Sequence, residues 1–202
     1  MKDNVVIRFL NKVTDLVVLN LLFVLCSLPV ITMGASMTAM MSVSLRSVEY
    51  GDGYVVKTFF RSFKESWKQA TEAWIVNLLL LVMVFLDLQF WSKFIVQNIM
   101  TKTMLVLSVG LGLFVLMIFL WVYPLISKTK GTLYEQFRNA AAMAIGYFFP
   151  YTIACIAVVV AIALMSYVNL GFALSMFIVG FAVVSYILAF FFHRVFEKHM
   201  EM

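Results

Sequence analysis

The chain has 202 residues, of which 64% are hydrophobic and only 12% are charged, with a formal net charge of +5. Soluble domains are about 45–50% apolar and about 25% charged, because most of their surface must be hydrated. This composition excludes a soluble domain, a disordered chain and a nucleic-acid-binding protein. The sequence therefore predicts an all-α integral membrane protein, formed as a single helical bundle over residues 1–202.

Six membrane segments are predicted, because about 20 apolar residues in a helix cross the hydrocarbon core of a bilayer. In chain order they span residues 14–31, 33–47, 73–91, 103–126, 147–167 and 172–192. Pro29 and Gly34 interrupt the uncharged run 16–45, so the second segment is either the returning arm of a hairpin or a short re-entrant half-helix. The last two segments are separated by Asn169-Leu170-Gly171, which has the composition of a tight turn.

The positive charges predict the orientation of these segments. If residues 16–45 enter the membrane and return, 13 Lys and Arg residues lie on the cytoplasmic side and 2 lie outside. If the run crosses once, the best division is 10 against 5. The positive-inside rule favours the first division, and so predicts a multi-pass membrane protein with both termini in the cytoplasm.

Two amphipathic helices are predicted on the cytoplasmic side, at residues 54–70 and 132–145. In the first, aromatic residues recur at spacings of three and four, and a stripe of basic residues runs beside them. The candidate lipid-facing or partner-facing residues are Lys57, Phe59, Arg61, Phe63, Lys64, Trp67 and Lys68. An aromatic face beside a basic face is typical of a helix at the membrane surface. Packing on the bundle's own cytoplasmic end and docking to a partner are the alternatives.

A weak internal similarity links the two amphipathic helices. Residues 58–64 (TFFRSFK) align with residues 132–138 (TLYEQFR), and each segment leads into a membrane span. This pattern predicts a parallel repeat of span, amphipathic helix and span, of a kind found in transporters. Chance similarity between two short apolar-basic segments is the alternative.

The predicted membrane interior is rich in small residues. Side-chain amides are expected to form hydrogen bonds between helices, and small residues four apart allow helix backbones to approach closely. The candidate packing positions are Asn20, Gly34, Ala35, Thr38, Ala39 and Asn77. We expect the segment 33–42 to pack in the centre of the bundle or against a partner, rather than to face lipid.

Few chemically active groups lie in the apolar segments. Asp87 stands one turn before Trp91, near the predicted outer interface, where it is either a hydrated interface residue or a polar contact at the outer mouth. Cys26 and Cys155 are 129 positions apart in apolar runs and are expected to be free thiols. The sequence contains no metal-ligand spacing, catalytic constellation or phosphate-binding loop. We therefore expect no enzymatic activity, no cofactor and no metal.

Several motifs in the first 75 residues resemble the YesL family, small polytopic membrane proteins of Firmicutes with a domain of unknown function. The motifs are Leu19-Asn20-Leu21, Cys26-Ser27-Leu28-Pro29-Val30-Ile31-Thr32-Met33-Gly34-Ala35-Ser36, Phe59-Phe60-Arg61-Ser62-Phe63-Lys64 and Trp67-Lys68-Gln69-Ala70-Thr71. The resemblance implies a link to binding-protein-dependent uptake of oligosaccharides. It implies no catalytic or binding residues.

Two functions are compatible with these features. The first is an accessory or scaffold component of an ABC-type carbohydrate importer, whose partners are the importer's membrane subunits and the lipid bilayer. The second is a small-solute carrier or permease built from the parallel repeat. The nearly uncharged interior favours the first, because ion-coupled transport usually requires buried carboxylates. The sequence predicts neither the substrate nor the oligomeric state.

Overall fold

The structure, a computed structural model, describes residues 5–51, 54–93, 99–146 and 152–200. In these ranges every regular element is helical, which confirms the predicted all-α fold. The helices are α1 (Val5–Ser27), α2 (Met33–Tyr50), α3 (Val55–Lys93), α4 (Ile99–Lys128), α5 (Leu133–Gly146), α6 (Ile153–Val168), α7 (Leu170–Ser175) and α8 (Phe181–Met200). A 3₁₀ turn, Val30–Thr32, precedes α2, and a π-helical segment, Met176–Gly180, joins α7 to α8.

Helices α1 and α2 form an antiparallel hairpin. The chain reverses direction after Pro29, where the Thr32 hydroxyl donates to the carbonyl oxygen of Cys26 at 2.7 Å. At the other end of the hairpin, Nζ of Lys12 donates to Oγ of Ser47 at 2.6 Å. The start of α1 and the end of α2 therefore lie side by side, as the hairpin interpretation of residues 16–45 predicts.

The C-terminal end of α4 lies beside the C-terminal end of α2. Nζ of Lys128 donates to Oε2 of Glu49 at 2.5 Å, and Nζ of Lys12 lies 4.8 Å from the ring centroid of Tyr186 in α8. Lys57 of α3 lines one cavity together with Arg46 of α2 and Lys128 of α4, and Lys12 of α1 reaches the end of α2 nearby. We call this end of the bundle, which carries Lys12, Arg46, Lys57 and Lys128, the basic end.

Helix α2 occupies the centre of the bundle. Eleven of its 18 residues are buried, and it packs against α1, α3, α4 and α8. Small side chains at its buried positions make this possible, because helix axes can approach closely only where side chains are short. The helix ends at Gly51, whose φ of 81° is a left-handed conformation that glycine adopts without strain.

Helix α3 differs from the prediction. The amphipathic segment 54–70 and the span 73–91 form one helix of 39 residues, about 58 Å long at 1.5 Å per residue. No Pro or Gly interrupts the sequence between Val55 and Lys93, so the backbone has no local reason to break between the polar and apolar parts. The predicted surface helix is therefore an extension of the membrane helix.

Four segments in the described ranges are long and apolar enough to cross a membrane: Phe9–Ser27, Val55–Lys93, Ile99–Lys128 and Met176–Glu197. This finding indicates a membrane-associated helical protein. It does not confirm six segments, because the small and hydroxyl-bearing residues of α2 lower its hydropathy and α6 has only 16 residues. Residues 147–151 of the fifth predicted segment lie outside the described residues.

The predicted internal repeat is not confirmed. The first amphipathic segment continues directly into a span as α3. The second forms α5, of 14 residues, and its connection to the next span, at residues 147–151, lies outside the described residues. Helix α5 lies against α4, and Ala140 and Ala144 are fully buried.

Candidate functional site

All six predicted packing positions are buried. They are Asn20, Gly34, Ala35, Thr38, Ala39 and Asn77. The three polar side chains among them bond to the protein itself. For example, the Thr38 hydroxyl donates to the carbonyl oxygen of Gly34 at 3.1 Å, and Nδ2 of Asn77 lies 3.4 Å from the hydroxyl oxygen of Tyr123. The Thr38 bond lies within α2, whereas Asn77 joins α3 to α4.

Gly34 lies in α2 at a position where the backbone of α2 comes very close to α3. A methyl group at this position would lie 2.6 Å from Cβ of Trp74 and would overlap the carbonyl oxygen of Ala70. Real Cβ atoms essentially never come so close to other heavy atoms, and a backbone carbonyl in a helix cannot move aside. The crossing of α2 and α3 therefore requires glycine at position 34.

Asn20 connects α1 to the π-helical segment before α8. Its Nδ2 donates to the carbonyl oxygens of Phe177 at 2.7 Å and of Met176 at 3.2 Å, while the backbone N–H of Ala182 donates to its Oδ1 at 3.0 Å. A π-helical turn takes backbone groups out of the regular α-helical pattern. One buried amide thus provides both a donor and an acceptor for this irregular backbone. The sequence predicted a hydrogen bond between helices here, but not this partner.

The aromatic stripe of α3 does not lie on a single surface. Phe59 is fully buried and its ring stacks with that of Phe63, 6.2 Å away between centroids. Phe59 packs in the same cluster as Leu19 and Val43, whereas Trp67 is half-exposed. The prediction that Phe59 faces lipid or a partner is therefore corrected. Packing on the bundle's own end, one of the alternatives, accounts for its position.

Asp87 lies near the end of α3 opposite to the basic end. Its Oδ1 accepts a hydrogen bond from Nε1 of Trp91 at 3.0 Å. The two residues are one helical turn apart, so this bond forms within α3 and joins no other element. The predicted polar contact at an outer mouth remains a prediction.

A polar cavity of about 530 Å³ lies at the basic end, between α2, the first turns of α3 and the end of α4. It is lined by Ser42, Arg46, Glu49, Tyr50, Tyr54, Lys57, Thr58, Arg61, Ser62, Glu65, Ser127 and Lys128. Its volume lies in the range of small-molecule sites, about 300–1,000 Å³. We call it the basic pocket.

The basic pocket has an excess of positive charge. Four cationic side chains and two carboxylates line it. Lys128 pairs with Glu49, and Nε of Arg61 lies 2.9 Å from Oε1 of Glu65. Arg46 and Lys57 form no ion pair with a carboxylate in the part of the chain that the structure describes. The guanidinium of Arg46 instead lies 5.9 Å from the ring centroids of Tyr50 and Tyr54.

Glu49 is held in its ionised form. Partial burial acts to raise its pKa, but hydrogen bonds from Lys128 and Tyr50 and the charges of Lys128 and His193 outweigh burial and hold the pKa below its ordinary value. The bond to Glu49 in turn raises the pKa of the Tyr50 hydroxyl. Because Glu49 is engaged with Lys128, it does not neutralise Arg46 or Lys57. The pocket therefore retains two cations that are available to an anion.

The lining of this pocket is rich in hydrogen-bond donors. No group of three or more His, Cys, Asp or Glu side chains that could hold a metal ion occurs in the described ranges. The guanidinium, ammonium and hydroxyl groups of the lining are hydrogen-bond donors. Such a set can hold a negatively charged, oxygen-rich group.

The sequence singled out two of the residues in this pocket, Lys57 and Arg61, but as part of a surface stripe. It did not single out Arg46 or Lys128, which stand at the ends of two apolar runs far apart in the chain. The positive-inside pattern assigned both to one side of the membrane. Only the packing of α2 against α3 and α4 brings them to one cavity.

The fold and the pocket define a class, a helical membrane-associated protein with a basic pocket at one end. Residues 16–88, roughly a third of the chain, match a family described as "Protein of unknown function, DUF624". The match covers α2, most of α1 and α3, and every residue of the basic pocket except Ser127 and Lys128. No curated protein and no solved structure matches the chain.

Proposed function

We propose that the protein is a non-catalytic, multi-pass protein of a bacterial plasma membrane that serves as an accessory or scaffold component of an ABC-type oligosaccharide uptake system. The observation that supports the scaffold role is the bonding of interior side chains, such as Asn20 and Ser44, to other helices of the bundle. The link to carbohydrate uptake rests on the resemblance of the first 75 residues to the YesL family.

The interior supports a scaffold because several of its polar groups bond to other parts of the bundle, while Oδ1 of Asn77 is buried without a partner in the described ranges. Asn20 bonds to backbone groups, and the hydroxyls of Ser44 and Ser185 bond to each other at 2.9 Å. Bulky side chains such as Trp121 and Phe192 fill the core between them. A carrier instead needs polar groups that face a water-accessible path. Interior amides that hold helices together therefore favour the scaffold over the carrier.

The outer surface supports a partner within the membrane. Large apolar side chains are exposed along α3 and α4, including Leu79, Met83, Val106 and Leu111. In a bilayer, such faces are compatible with lipid or with the transmembrane helices of another subunit. The oligomeric state and the substrate of the partner system remain outside this proposal.

Six membrane segments with both termini in the cytoplasm form part of the proposal. The 13-to-2 division of Lys and Arg supports this topology, and so does the α1–α2 hairpin. We expect reporter fusions after residues 50, 97, 133, 170 and 202 to read inside, outside, inside, outside and inside. Paired cytoplasmic and periplasm-type reporters at each site provide the control. A fusion at residue 50 that reports from the exterior would contradict the hairpin topology.

The scaffold role is tested by measuring two things in separate experiments: association of the chain with an importer, and transport of oligosaccharide. We expect deletion of the gene to lower oligosaccharide uptake several-fold and to leave uptake of an unrelated amino acid unchanged. We also expect the tagged protein to co-purify with the membrane subunits of an ABC-type importer from gently solubilised native membranes. The purified chain in proteoliposomes is expected to transport no oligosaccharide by itself. Transport by the chain alone would establish the carrier function and refute the scaffold.

A further inference from the structure

The basic pocket contains two cations that face a cavity and have no carboxylate partner in the described ranges. Arg46 comes from the last turns of α2 and Lys57 from the first turn of α3. The two other cations of the pocket, Arg61 and Lys128, are already paired. Placing unpaired like charges around one cavity is unfavourable unless solvent or an anion screens them. Arg46 and Lys57 are both exposed to solvent at the opening of the cavity, so a ligand of opposite charge can reach them.

The donors in the lining fit a tetrahedral oxyanion. A guanidinium binds two oxygens of a phosphate through parallel hydrogen bonds, and an ammonium adds a compact charge. The hydroxyl-bearing residues Ser42 of α2 and Ser62 of α3 line the same pocket. The excess of two positive charges also matches a phosphate group, which carries between one and two negative charges near neutral pH.

The remainder of the ligand would meet aromatic and polar surface. Tyr50 and Tyr54 line the pocket and are 67% and 65% exposed. Aromatic rings beside a cation suit an organic group attached to the anion better than a bare ion. The cavity of about 530 Å³ is also larger than inorganic phosphate requires.

We propose that the basic pocket binds the phosphate group of an organic phosphate, through Arg46 and Lys57. The same chemistry occurs in soluble phosphate esters and in phospholipid headgroups. The pocket is open at the basic end of a bundle whose apolar helices reach into a membrane, so both sources have access. This site is independent of the proposed scaffold function.

The test compares two double variants that remove the same charge from the same region. R46Q/K57Q removes the two cations of the pocket that pair with no carboxylate in the described ranges. K64Q/K68Q removes two exposed cations of α3 that do not line it. The purified full chain is titrated with glycerol 3-phosphate, a soluble monoester, and native mass spectrometry counts molecules of phosphatidylglycerol and of zwitterionic phosphatidylcholine that remain bound.

We expect the unmodified chain to bind at least one of the two phosphate probes. Binding should fall about tenfold or more in R46Q/K57Q and less than twofold in K64Q/K68Q, because only the first variant removes direct charge-assisted hydrogen bonds. Binding of glycerol 3-phosphate identifies a soluble ester, whereas retention of phosphatidylglycerol alone identifies a lipid headgroup.

Three outcomes would overturn the proposal. They are no binding of either probe, equal weakening in both double variants, and stronger retention of a dicarboxylate such as succinate than of either phosphate. R46K/K57R keeps both charges and is expected to retain binding to within a few-fold. Thermal unfolding of each variant in the same detergent shows that loss of binding does not reflect loss of the fold.

Discussion

The Gly34→Ala variant is expected to lose about 3 kcal/mol of stability or more, which is at the upper end of the cost of overpacking a core. The added methyl group would overlap the carbonyl oxygen of Ala70 and lie 2.6 Å from Cβ of Trp74. Both belong to α3, so α2 and α3 would have to separate. Separation would expose the buried face of α2, which is the central helix of the bundle. The thermal unfolding midpoint in detergent, followed by circular dichroism, measures the effect.

Gly110→Ala is the matched control for this variant. Gly110 also lies in a helix, but no heavy atom comes within 4 Å of the position that a Cβ would take. Alanine is favoured over glycine in a helix by about 1 kcal/mol, so we expect unchanged or slightly higher stability. Equal midpoints for Gly34→Ala and Gly110→Ala would show that the crossing of α2 and α3 is looser than the structure indicates.

The Asn20→Leu variant is expected to lose about 2–4 kcal/mol, since three hydrogen bonds are removed and each is worth about 1 kcal/mol in a membrane protein. The carbonyl oxygens of Met176 and Phe177 would also lose their side-chain donor while buried. Leucine is branched like asparagine but larger, so the variant leaves no cavity, and the loss comes from the missing hydrogen bonds together with the added bulk at a buried position. The yield of folded protein and the unfolding midpoint measure the loss.

Leu21→Ala is the control for Asn20→Leu. Leu21 is the next residue in α1, and its side chain is 49% exposed, so its truncation is expected to change stability by less than about 1 kcal/mol. If Asn20→Leu is as stable as the unmodified chain, the amide does not support the π-helical segment. Hydrogen exchange at Ala182 provides a local reading, because its N–H donates to Asn20 and should exchange faster in the variant.

The sequence by itself determined the class of the protein. The apolar fraction and the long uncharged runs predict membrane helices, because the cost of placing a residue in lipid depends mainly on that residue. The interior positions were predictable for a similar reason. Gly34, Ala35 and Ala39 are small, and small residues at spacings of four identify the face of a helix that can approach another closely.

Only the tertiary structure decided what the amphipathic part of α3 contacts. The spacing of Phe59, Phe63 and Trp67 defines an apolar stripe but not the surface that covers it. Lipid, a partner and the bundle itself all satisfy the same pattern. The packing of α3 against α1 and α2 buries Phe59 and leaves Trp67 half-exposed. The choice depends on residues such as Leu19 and Val43, which are distant in the chain.

The basic pocket and the contacts of Asn20 also depend on tertiary structure. Arg46, Lys57 and Lys128 belong to three helices, and no local pattern relates their positions. Asn20 bonds to backbone groups more than 150 residues later in the chain. Local sequence governs helix formation and burial in lipid, because these depend on each residue and its near neighbours. Sites formed by several helices depend on which faces meet, and this is decided only when the whole bundle packs.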